Sequence, residues 1–176
     1  MFRKQTLAAA FAALLLGSAA PAGAQQQAAP QQPAPNIKTE AIIMLQNDAL
    51  LGKRAVSVQE VGLYLKAVRE AFAQAYAGVT VPETLNAIVA VKPGRKARLW
   101  IVSSLPNPPD RTALMARFQA VPVPEVRDGP IAFTIRFTVA GGTADRIPMT
   151  PPEWTKAFGG KPAVMPDAIT TYIWTD

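Results

Sequence analysis

The sequence predicts an α+β fold: a small antiparallel sheet, made of a hairpin plus a third strand, with two helices packed on one face and a Pro-rich C-terminal extension. Three observations carry that expectation. Two alternating apolar runs flank Pro93-Gly94, a third begins at Ile131, and a stripe at helical spacing runs from Val61 to Tyr76. The chain has 176 residues, enough for one domain with a real core. Its 17 prolines exclude an all-helical reading, because proline inside a helix removes a backbone donor and clashes with the preceding turn.

In chain order, residues 1–24 read as a signal peptide. Arg3 and Lys4 make a basic start, Leu7 to Leu16 is a short apolar core, and Ala22-Gly23-Ala24 has the small-x-small form cut by signal peptidase. Export to the periplasm of a Gram-negative cell with cleavage after Ala24 is expected; the alternative is an uncleaved inner-membrane anchor, for which the apolar run is short of the ~20 residues a spanning helix needs. Residues 25–36 form a Gln/Pro/Ala-rich leader with nothing to pack, expected to be disordered or extended. From Ile37 to Gly52, the spacing of Ile42, Ile43, Leu45, Leu50 and Leu51 fits a helix ending at Gly52 or a short strand from Ala41 to Leu45 before a turn at Asn47-Asp48. The helix is the expectation taken forward.

Ser57-Val58-Gln59-Glu60 is a capping box, followed by Val61, Leu65, Val68, Phe72 and Tyr76 on one helical face and by Gly78 as the stop. Leu85, Ala87, Val89 and Val91 then form an inward set before Lys92-Pro93-Gly94-Arg95, where Pro fixes φ for the second position of a type II turn and Gly accepts the positive φ of the third. In the returning strand Ala97, Leu99, Ile101 and Ser103 share one face, while Lys96, Arg98, Trp100 and Val102 share the other. Two unlike faces predict a sheet covered mainly on one side. Asn107-Pro108-Pro109-Asp110 is expected to open the helix Arg111 to Phe118, supplying a cap, a proline at the first helical position and an acid in the first turn. Ile131, Phe133, Ile135, Phe137 and Val139 are assigned to the core, opposite Ala132, Thr134, Arg136 and Thr138. The 37–140 domain then gives way to residues 141–176, an extension expected to pack on it. Its last run, Ile169 to Trp174, is β-prone throughout and reads either as a further strand or as an aromatic strap over the second face of the sheet.

Composition narrows the chemistry. The chain has no cysteine, so it forms no disulfide and carries no lipoprotein-type lipid anchor. It has no histidine either, which removes the commonest general base and the commonest metal ligand; no metal and no cofactor are expected. The net charge of +6 falls to +4 without Arg3 and Lys4, too mild a surplus for a nucleic-acid-binding protein.

The order helix, hairpin, helix, strand resembles the C-terminal domain of the TonB and TolA periplasmic proteins. The residues that carry the resemblance are Asn86 to Arg95, Leu99 to Ser104, the helix from Arg111 to Phe118, Val121-Pro122-Val123-Pro124, and Phe133 to Val139. Those proteins have an uncleaved anchor, a long Pro-rich spacer and typically a Tyr-Pro motif before the first strand; here there is a cleavable signal, a short leader and Thr80-Val81-Pro82. The resemblance implies a periplasmic, non-catalytic adaptor that contacts other envelope proteins by strand addition or through the outer sheet face. Two alternatives are a membrane-tethered energy transducer for outer-membrane transport and a periplasmic hydrolase. The first is weakened by reach, since the eleven residues from Gln25 to Pro35 extend ~35 Å at most as polyproline II.

The candidate partner-binding residues are Lys92, Arg95, Lys96, Arg98, Trp100 and Arg136. Four cations in the seven residues from Lys92 to Arg98 make an anion-facing tip for acidic protein loops or anionic lipid headgroups, or else a solvated hairpin end. Trp100 beside Arg98 is an interface pair, or else is buried by the chain's own Trp154 or Phe158. For catalysis, Ser103, Ser104, Asp110, Glu125 and Asp128 are the polar cluster near strand ends, without a serine-hydrolase motif. No enzyme is expected.

Overall fold

The computed structural model describes residues 36–143, 147–159 and 166–174. The expected signal segment and residues 25–35 of the leader lie outside them. Four strands, β1 (Ile37–Met44), β2 (Glu83–Lys92), β3 (Lys96–Ser103) and β4 (Ile131–Val139), form one antiparallel sheet in the order β1-β4-β2-β3. The fold is α+β as expected. The hairpin pairs Lys92 with Lys96 and Leu85 with Ser103. On the other side of β2, Ala87 faces Ile135 and Val91 faces Ile131.

The sheet gains its fourth strand from the segment expected to be helical. Ile37 to Met44 pairs with β4, and the helix α1 (Asp48–Arg54) starts only after Asn47, whose side chain accepts the amide of Leu50 at 2.8 Å. The local pattern misled because a β-bulge interrupts the period of two. Thr39 faces Phe137 and Ala41 faces Arg136, so Glu40 has no opposite residue and the alternation changes phase. Glu40 instead accepts the Thr138 hydroxyl at 2.9 Å and pairs with Lys38 at 3.1 Å; these two contacts, the hydroxyl foremost, lower its pKa.

The helix α2 (Val58–Ala75) begins at the expected serine cap, with the Ser57 hydroxyl taking the amide of Glu60 at 3.2 Å, while among the described residues no reciprocal Glu60 contact completes a full capping box. Its buried stripe is Val61, Tyr64, Val68, Ala71 and Phe72, so Tyr64 takes the central place expected for Leu65, which is half-buried. Phe72 stacks on Phe137 at 4.6 Å and Tyr64 meets Phe133 edge-on at 6.2 Å, which seats α2 across β4. The helix α3 (Thr112–Gln119) adds Leu114 and Phe118 to the same core. It starts after the expected cap: Asp110 lies outside the helix and accepts both the amide (2.9 Å) and the hydroxyl (2.7 Å) of Thr112, contacts that lower its pKa. The core face of β4 is as assigned, with Ile131, Phe133, Ile135, Phe137 and Val139 all buried.

The expectation of a sheet covered on one side fails. Every residue of β2 from Glu83 to Val91 is buried, and Ala132 and Thr134 are buried on the second face of β4. Trp154 from α4 (Pro152–Ala157) and Ile169 lie on Ile88, Ala90, Val102 and Ala132. The β-prone final run is no strand; after α5 (Pro166–Ala168) it forms a π-helical turn, Ile169–Ile173, and serves as the strap. Arg54 holds α5 in place, its Nη2 donating to both Asp167 oxygens at 2.9 Å while Nη1 donates to the Pro130 carbonyl at 2.7 Å. Nearer the opposite end of β2, the Asn86 amide nitrogen donates to the Pro148 carbonyl at 2.9 Å, and Arg136 Nε donates to Asn86 Oδ1 at 3.1 Å. Gly142 is required where the chain crosses β2, since a Cβ there would lie 2.3 Å from the Glu83 carbonyl oxygen.

If the extension is part of the core, Trp154→Ala should destabilise the protein as much as Phe137→Ala, about 3–5 kcal/mol each. A denaturant midpoint unchanged by Trp154→Ala would separate the extension from the fold.

Burial raises the pKa of both Tyr64 and Tyr76, with the Glu83 charge adding to the rise at Tyr76. A phenol that must stay neutral in the fold favours folding below its ordinary pKa of 10.0, and that stability is lost as pH rises above it, where only the unfolded chain releases the proton. The tyrosinate absorbance removed by Tyr64→Phe should therefore appear in step with loss of circular dichroism, and not before it.

Candidate protein-binding edge

Strand β3 ends the sheet, and its backbone shows which groups are left over. The Ser104 amide donates to the Thr84 carbonyl at 2.9 Å, while the Thr84 amide donates to Ser104 Oγ at 2.9 Å. Hydrogen-bonded pairs alternate along an antiparallel ladder, so Val102, Trp100, Arg98 and Lys96 turn their backbone groups to β2. Ala97, Leu99 and Ile101 turn theirs outward. Among the described residues no strand pairs with that outer edge, and β3 runs without register shift over its eight residues.

The edge is anchored at its turn. Gly94 has φ +83° as the type II turn requires, and Arg95 follows at φ +56°, a left-handed conformation uncommon outside glycine. Two contacts hold it there: Arg95 Nη1 donates to the Val123 carbonyl at 2.9 Å, and Nε lies 3.3 Å from Glu125 Oε2. Glu125 also accepts the Gly94 amide at 3.3 Å, so this carboxylate, weighed as part of a catalytic cluster, serves the turn.

The six expected partner-binding residues do not form one patch. Arg95 is bound to the segment from Val123 to Glu125. Lys92 lies over the Trp174 ring at 4.3 Å. Lys96 and Arg98 are exposed, and the Arg98 guanidinium lies over Trp100 at 5.4 Å. Trp100 is half-buried and meets Trp154 edge-on at 5.1 Å and Trp174 at 6.3 Å, the intramolecular outcome weighed for it. Arg136 shares their face but lies two strands away, level with Asn86 and Val102, and bonds to Asn86.

The polar residues near strand ends are likewise dispersed. Ser103 donates to Glu83 at 2.5 Å and accepts the Leu105 amide at 3.0 Å. Glu83 is fully buried and paired with Arg111 at 2.8 Å, and its second oxygen has no hydrogen-bond partner. Sequence reasoning missed this pair; its signal was an acidic residue at the start of a strand that becomes apolar from Ala87 onward. Ser104, Asp110 and Glu125 each serve a local backbone contact, and Asp128 sits at φ +57° in the turn before β4. Compared with known proteins, the chain matches no family model, no curated protein and no solved structure.

Glu83→Ala should cost about 3–5 kcal/mol, because it leaves Arg111 largely buried without its counter-ion. Replacing both with apolar residues, as in Glu83→Leu with Arg111→Met, should recover most of that loss in a denaturant titration. A double variant as unstable as the single one would show that the pair is not coupled.

Proposed function

We propose that this chain is an exported, non-catalytic protein-binding domain that receives an extended segment of another envelope protein as a fifth strand on the outer edge of β3. The observation that carries this is the regular β3 edge, whose Ala97, Leu99 and Ile101 backbone groups face outward. Main-chain bonding along such an edge supplies affinity, and pockets for alternate side chains supply selectivity. The resemblance to the TonB and TolA C-terminal domain supports the same class, on the order α2, β2-β3, α3, β4. Docking through the outer sheet face is disfavoured, because Trp154, Ile169 and Trp174 already lie there. The short leader disfavours energy transduction across the periplasm.

Proline at position 97 tests the edge. It removes an amide the fold does not use, so Ala97→Pro should leave the thermal midpoint nearly unchanged, whereas Trp100→Pro removes a ladder bond and should unfold the sheet. With the full leader expressed in a Gram-negative host, the mature chain should start at Gln25 in the soluble periplasmic fraction. A photo-crosslinker at Ile101 should then capture a protein partner that one at Leu63 on α2 does not, and Ala97→Pro should abolish the capture. Crosslinking indifferent to Ala97→Pro, or full-length chain found only in the inner membrane, would overturn the proposal.

A further inference from the structure

We infer that the segment received by β3 alternates apolar side chains with carboxylates; this rests on the edge reading above. A strand added to β3 points its side chains to the two faces in turn. On the helix side it lies beside Ala97, Leu99 and Ile101, of which Leu99 is already buried and the other two are half-buried, with half-buried Met115 of α3 packed on the same core. Apolar side chains there extend the core. On the other side it lies beside Lys96, Arg98 and Trp100. Arg98 is exposed, and among the described residues no carboxylate pairs with it; Glu125, at the turn, belongs to Arg95. Opposite charges directly across neighbouring strands attract and like charges repel, which favours carboxylates in this row.

The test uses the mature full chain and three labelled decapeptides at low ionic strength: alternating Val-Glu, alternating Val-Lys, and a Val-Val-Glu-Glu repeat that keeps charge but breaks the alternation. Fluorescence anisotropy should show Val-Glu binding about threefold tighter than either of the others, the scale of one cross-strand charge pair at Arg98. Arg98→Glu should shift the preference toward Val-Lys, Lys66→Glu on α2 should leave it unchanged, and Ala97→Pro should abolish binding. Equal binding of Val-Glu and Val-Lys, both lost in Ala97→Pro, would overturn the acidic partner and leave the edge standing. Val-Glu binding that survives Ala97→Pro, or that the non-alternating peptide matches, would overturn both. So would no binding by any of the three.

Discussion

The fold depends on a central strand that has no solvent side. From Glu83 to Val91, β2 is buried residue after residue, with β3 and β4 on its edges and apolar side chains on both faces. Such a strand is stable only if both faces are covered, because exposed Ile88 and Ala90 would forfeit the burial that drives folding. Helices α2 and α3 cover one face. The C-terminal extension covers the other, so residues that look like an appendage in the sequence, Trp154 and Ile169 above all, belong to the core.

The polar residues of β2 follow from the same constraint. Glu83, Thr84 and Asn86 cannot reach water, and each is met by a partner from elsewhere in the chain: Arg111 and Ser103 for Glu83, the Thr143 carbonyl for the Thr84 hydroxyl, and Pro148 and Arg136 for Asn86. Buried polar groups without such partners would destabilise the strand. Their partners tie the crossing at Gly142 and the segment that follows to one end of the sheet, while Arg54 and Asp167 tie the strap near the other.

What the sequence disclosed was whatever depended on local periodicity. The phase of β3 and β4, the Pro93-Gly94 turn and the Ser57 cap are all written in neighbouring residues, and all stand. The misreadings have a common cause, because each required knowing what lies across space. Glu40 breaks the alternation of β1 only in register with β4. The Ile169 to Trp174 run is β-prone yet coils, because its apolar side chains are needed against Ile88 and Ala132 on the sheet face. The cations from Lys92 to Arg98 were legible as a cluster, but their division was not. Glu125 and Trp174, both far downstream of the hairpin in sequence, take Arg95 and Lys92 away from it.

The two ends of the sheet are chemically unequal, and the bulge at Glu40 is the reason. One border is regular; the other is bulged, with Glu40 out of register, and a bulge bends its strand and deepens its twist. Flat, regular borders on both sides of a sheet favour edge-to-edge growth. Among the described residues this sheet has one border suited to unbroken main-chain pairing and one that a bulge interrupts.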